Sequence, residues 1–91
     1  MTDKNKLAIG AMAMDLKRVT MCYYNGSDKT AQRFCEEALK RCDEIDQSKL
    51  VPYLKRFINK LPKLLNKKDN LRVAEDALML STIFQNYITQ K

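Results

Sequence analysis

Regular structure in this chain has only four natural breakers: Gly10, Gly26, Pro52 and Pro62. A small sheet protein needs many turns, and turns draw on glycine and proline. So few of them forces long helices joined by short connections. Ninety-one residues fit one domain. A chain of this length buries roughly 60–65% of its unfolded surface, enough for one core. Apolar residues at 45% and charged residues at 31% place it with ordered globular proteins. The expected fold is all-α: a single-domain antiparallel four-helix bundle over residues 1–91.

Hydrophobic periodicity places the four helices at about 5–24, 28–46, 49–65 and 70–89. In the first, Ala8, Ile9, Met12, Leu16, Val19 and Tyr23 share one face. A second, nearly opposite strip holds Leu7, Ala11, Met14, Met21 and Cys22. A helix apolar on two sides is either the most enclosed of its bundle or touches another chain. Gly10 weakens the helix by about 1 kcal/mol relative to Ala, and with its alanine neighbours it permits close approach. Asn25-Gly26 ends the helix, since Gly26 takes a left-handed conformation without steric cost. Ser27 stands at the N-cap of the second helix, whose apolar set is Ala31, Phe34, Cys35, Ala38, Leu39, Cys42 and Ile45. Arg33–Glu37, Glu36–Lys40 and Glu37–Arg41 are spaced for i,i+4 pairs on its other side. The third helix phases Leu50, Leu54, Phe57, Ile58, Leu61, Leu64 and Leu65 to one arc. Pro62 removes a backbone donor there, so a kink or break is expected near Leu61. Asp69 or Asn70 caps the fourth helix, whose core face is Val73, Ala74, Ala77, Leu80, Phe84, Tyr87 and Ile88; Leu71, Leu78, Met79 and Ile83 lie off it.

Charge is concentrated. From Gln47 to Lys68 the chain carries seven Lys/Arg and no carboxylate, which leaves ten Lys/Arg against eleven Asp/Glu elsewhere. On a helical wheel Lys49, Arg56, Lys60, Lys63 and Lys67 fall within an arc of about 60°, opposite the leucines. Such a face is either plainly solvated or docks an acidic protein, nucleic acid or another polyanion. Phosphate contacts need only Lys and Arg, whereas base stacking needs exposed aromatics, and Tyr53 alone is near the stripe. No helix-turn-helix spacing appears around Asp46–Ser48. The same pattern reads as a basic amphipathic helix for a membrane surface, but the bundle needs its apolar face.

Histidine is absent. This removes Ser-His and Cys-His pairs, the usual proton shuttle and nearly all common zinc and iron sites. Glu36-Glu37 and Glu75-Asp76 are adjacent on helices and diverge by about 100°, so neither pair converges on a reacting atom. There is no glycine-rich phosphate loop. No catalytic residue, metal ligand or cofactor is expected. Three cysteines argue against a disulfide framework. Cys35 and Cys42, seven apart on one helix, sit roughly 10 Å apart along its axis, beyond disulfide reach. A reduced, cytoplasmic setting is the simplest expectation. The start, with Lys4, Lys6 and the Leu7–Met14 run, has too few apolar residues ahead of its Ala-Met-Ala triplet for a secretory leader. No stretch approaches the ~20 apolar residues of a membrane span.

Residues 23–45 run Tyr-Tyr-Asn-Gly-Ser-Asp-Lys-Thr-Ala, then Phe34-Cys35, then Ala38-Leu39. This resembles the helical hairpin of tetratricopeptide repeats and of microtubule-interacting and trafficking (MIT) domains, with a glycine turn and small residues seven apart at Ala31 and Ala38. It lacks the tetratricopeptide tryptophan-leucine-glycine opening, its later proline and a second repeat. The resemblance implies an interaction module for peptides or helices of other proteins. The expected function is a small non-enzymatic helical protein that binds a protein partner through helix faces; the alternative is nucleic-acid or polyanion binding through the third helix. The candidate basic face is Lys49, Arg56, Lys60, Lys63 and Lys67. Leu7, Met14 and Met21, at seven-residue spacing, suit a helix-in-groove contact or a homodimer seam.

Overall fold

The computed structural model describes residues 3–89. It is an all-α antiparallel four-helix bundle: α1 Asp3–Tyr24, α2 Asp28–Asp43, a 3₁₀ turn Gln47–Lys49, α3 Pro52–Leu65 and α4 Asn70–Thr89. The α1 helix carries the most extensive contacts, with α2 on one side and α4 on the other; α3 closes the bundle against α4 and α2. Two hydroxyls fix the α1–α4 register. Thr20 Oγ1 donates to the Ala74 carbonyl at 2.8 Å, and Ser81 Oγ donates to the Ala13 carbonyl at 2.8 Å. Residue numbers fall along α4 as they rise along α1, so the pair is antiparallel. A third point of close approach is Gly10, where a Cβ would lie 3.3 Å from Ile88 Cδ1. The glycine lets α4 sit near the start of α1.

The core is built from the phased apolar residues. Ile9, Met12, Leu16 and Val19 of α1, Leu54, Ile58 and Leu61 of α3, and Val73, Leu80 and Phe84 of α4 are all fully buried. Each such large side chain contributes about 1.5–3 kcal/mol by leaving water. Ala31 and Ala38 are also fully buried, and these small residues let α2 lie close to its neighbours.

Between α1 and α2, Gly26 adopts φ +79°, the left-handed conformation expected of it. The Ser27 N–H donates to the Cys22 carbonyl at 2.8 Å, closing the α1 end. Ser27 occupies the N-cap, but its side chain makes no capping bond. At α4 the capping residue is Asp69, whose Oδ1 accepts from the N–H groups of Leu71 and Arg72 at 3.1 and 3.3 Å. Ion pairs along α2 form at i,i+3, as Glu37–Lys40 and Arg41–Glu44, not at the expected i,i+4 spacings.

The third segment differs from a helix begun at residue 49. Gln47–Lys49 form a 3₁₀ turn capped by Asp46, and Leu50 and Val51 are extended before α3 starts at Pro52. The residue before a proline is driven out of the α region by the ring, which holds Val51 extended and puts Pro52 in the first turn. At the other end, α3 runs unbroken through Pro62 to Leu65, so the expected break is not there. Pro62 has no N–H for the Ile58 carbonyl four residues back. That carbonyl instead accepts from the Cys42 thiol of α2, with S···O 3.7 Å. A weak sulfur donor thus compensates the bond that proline removes.

Asn5 anchors the whole connection. Fully buried on α1, it donates from Nδ2 to the Asp46 carbonyl at 3.0 Å and accepts from the Asp46 N–H at 2.9 Å. One amide side chain therefore satisfies both backbone groups of the residue that caps the 3₁₀ turn.

Candidate functional site

Two surfaces remain after the core is accounted for, and they differ in kind. The first is the outer face of α1 and α4. Leu7, Met14 and Met21 are exposed at 76%, 55% and 54%, and Leu71 and Leu78 of α4 at 62% and 43%. The antiparallel register puts Leu78 beside Met14, where the two line one cleft of about 500 Å³ with Lys17 and Gln85. A neighbouring cleft of about 600 Å³ is lined by Asp3, Lys6, Leu7, Gly10, Ala11, Met14, Gln85 and Ile88. Met14 and Gln85 belong to both, so the clefts form one groove along the α1–α4 seam. Its depth at Gly10 and Ala11 follows from the absence of side-chain bulk between Leu7 and Met14.

The flank of this face nearest α2 is polar and tied down. Arg18 reaches Asp15 at 3.4 Å and lies over the Phe34 ring, 5.5 Å from its centroid. Asp15 is buried. Desolvation pushes its carboxyl above the usual range, opposed by Arg18 and Arg41 and reinforced by Glu37.

The second surface is the outer side of α3. Arg56, Lys60 and Lys63 are exposed, and none of them makes an ion pair among the described residues. Because α3 is continuous across Pro62, Lys63 stays on the same helix as Arg56 and Lys60. Lys49 does not: it sits on the 3₁₀ turn, so its wheel position relative to Arg56 no longer applies. Lys67 lies beyond the end of α3 and is partly buried, with its Nζ 3.0 Å from Asp76 Oδ2 of α4. The structure therefore keeps three of the five predicted basic residues together on α3. Tyr53, half-exposed, packs edge-on to Phe57 with ring centroids 5.5 Å apart. It also lines a cleft with Ile83, Asn86 and Tyr87, at the start of the basic ridge.

Thiol chemistry is subdued. Cys22, Cys35 and Cys42 are all free. Burial, with a lesser push from Glu36, raises the Cys35 thiol to about 11, so it stays protonated at neutral pH. Burial also raises Cys42, whose thiol hydrogen is directed at Ile58. Among the described residues no group of three His, Cys, Asp or Glu side chains converges as a metal site. No described helix is long and apolar enough to cross a membrane. Comparison with protein-family models, curated proteins and solved structures finds no match, so the functional reading rests on the geometry of the chain itself.

The α4 half of the apolar face is what sequence reasoning missed. Leu71 and Leu78 stand off the core face of α4, and that signal was present. Their union with Leu7, Met14 and Met21 depends on the α1–α4 register, which no local pattern encodes.

Proposed function

We propose that this chain is a non-enzymatic helical interaction protein of the reducing cytoplasm that recognises a protein partner through the α1/α4 face. The observation that carries the reading is the exposure of Leu7, Met14, Met21, Leu71 and Leu78 along two adjacent helices. Single exposed apolar residues are ordinary, but a contiguous row at heptad spacing over a groove is the form of a helix-binding or helix-pairing surface. Methionines suit it because their flexible thioether side chains adapt to a partner. The hairpin resemblance in residues 23–45 points to the same class of function, and the free thiols agree with a reducing setting.

A photo-crosslinking amino acid placed at Met14 or Leu78 in the native cell tests the reading. Discrete protein adducts are expected at both positions, and none at Lys40 on the outer side of α2. Absence of adducts at Met14 and Leu78 would remove the proposal.

The exposed Arg56–Lys60–Lys63 ridge, with Tyr53 beside it, favours a second reading: binding of nucleic acid or another polyanion through α3. Here affinity for a single-stranded oligonucleotide falls steeply with log salt and is lost in an Arg56→Glu/Lys60→Glu variant that folds normally. Binding that ignores both changes would exclude it.

A further inference from the structure

Exposed lysines are ordinary on a surface helix, but the seam between α3 and α4 holds more than lysines. From Gln47 to Lys68 every charge is positive, and Ala77–Thr89 of α4 contains no charged residue at all. Asp76, at the edge of that stretch, is held by Lys67 at 3.0 Å. The α2 helix ends on the acidic residues Asp43 and Glu44, but it meets α3 where the Cys42 thiol reaches Ile58. Ile58 is buried and stands two residues from both Arg56 and Lys60, on the opposite side of the helix. The side of α3 that borders α4 and solvent therefore presents positive charge only.

On that side Tyr53, Arg56, Lys60 and Lys63 are spaced i, i+3, i+7 and i+10, one line along the helix. Tyr53 is half-exposed, and its ring meets Phe57 at 87° with centroids 5.5 Å apart. Whichever ring offers its edge, at least one face of Tyr53 lies outside that contact. The same residue lines a cleft of about 460 Å³ with Ile83, Asn86 and Tyr87. Thus α4 adds to the basic line a second aromatic and, at Asn86, an exposed amide.

We propose that the α3/α4 seam binds single-stranded nucleic acid, with one unpaired base stacked in the Tyr53–Tyr87 cleft and the sugar-phosphate strand running along Arg56, Lys60 and Lys63. The proposal rests on the polyanion reading of α3 in the preceding section and narrows it to a strand with accessible bases. An aromatic face accepts any base, because every base has a π-face. The Asn86 amide carries both donors and an acceptor for the edge of that base, and Ile83 gives the cleft an apolar wall. Arg56 to Lys63 spans about 10 Å of helix axis, so a strand lying along it meets more than one phosphate. In a duplex the bases are stacked on each other and enter such a cleft only by flipping out, at a cost in unstacking and unpairing. A basic ridge alone would not tell a nucleic acid strand from any other polyanion; the aromatic cleft beside it does.

Fluorescence anisotropy with the full chain tests this, using a short labelled oligothymidylate, an abasic phosphodiester strand of the same length, and the oligothymidylate paired with its complement. Wild type should bind the oligothymidylate roughly tenfold or more tightly than the abasic strand. Tyr53→Leu should erase that difference, Tyr53→Phe should keep it, and neither should alter affinity for the duplex. The melting temperature of each variant reports that folding is intact. Wild-type log affinity for the abasic strand should fall with log salt at a slope of about −2, and each of Arg56→Gln, Lys60→Gln and Lys63→Gln should reduce that slope by about 0.7. Equal binding of the two single strands by wild type, or an unchanged preference in Tyr53→Leu, would overturn the base seat; salt-dependent binding of both strands would then leave the polyanion reading standing. No binding of either strand at low salt would remove both.

Discussion

The outer faces of α1 and α3 are made by opposite uses of the same period. In α3 segregation is nearly complete: Leu54, Ile58, Leu61 and Leu65 are buried, and Arg56, Lys60 and Lys63 face solvent. The core takes these leucines and the isoleucine, and the charges are what any well-partitioned surface helix carries. In α1 the core is satisfied by Ile9, Met12, Leu16 and Val19, yet Leu7, Met14 and Met21 remain outside it. These residues have no intramolecular burial to explain them. Exposed charge is the resting state of a protein surface, whereas a row of exposed large apolar residues is not. For that reason the weaker-looking strip is the more informative one, although the basic stretch is far easier to see in the sequence.

Three substitutions sharpen this contrast. The largest effect falls on both faces at once. Phe84 is fully buried in the shared core, and Phe84→Ala should cost about 3–5 kcal/mol, read as a shift of the urea midpoint, with α1/α4 and α3 unfolding together. If one face survived the other's unfolding, the two would belong to separate cooperative units.

Asn5→Ala is expected to come next, at about 1–3 kcal/mol, because it strands the Asp46 N–H and leaves the Asp46 carbonyl with only the Lys49 N–H. Its loss should fall unevenly. Amide exchange around the 3₁₀ turn and the start of α3 should quicken more than exchange at Thr20 and Ser81, since the α1–α4 hydroxyl bonds do not involve Asn5. Uniform quickening would mean that Asn5 is not the tie between the two faces.

Cys42→Ala should have the smallest effect, about 1 kcal/mol, by leaving the Ile58 carbonyl without the thiol that replaces the missing Pro62 donor. Restoring a proline-free turn removes the dependence: in a Pro62→Ala background the same cysteine substitution should cost less. Equal costs in the two backgrounds would show that the thiol is only a packing group.

Much of this was legible from residue order. Phasing of apolar residues placed the four helices, Gly26 marked the first turn and Asp69 or Asn70 the last cap, because each of these depends on interactions within a few residues. The start of α3 was misplaced by treating Lys49–Val51 as helix, although the restraint that Pro52 puts on Val51 is itself local. At Pro62 the sequence shows the missing N–H, which predicts a break, but not the Cys42 thiol that answers the Ile58 carbonyl from another helix.

The sequence by itself determined that the chain is helical, where its helices lie apart from the start of α3, that its positive charge gathers between Gln47 and Lys68, and that Leu7, Met14 and Met21 share a strip outside the core phase. Tertiary structure decided which of these features meet. It set Leu78 beside Met14, joined Lys67 to Asp76 and kept Arg56, Lys60 and Lys63 exposed together on α3. It also placed Asn5 on the backbone of Asp46. The division has one physical cause. Helix formation and amphipathic phasing are fixed by neighbours within a turn or two. The register of one helix on another is fixed by contacts such as Ala13–Ser81, made between residues far apart in the chain.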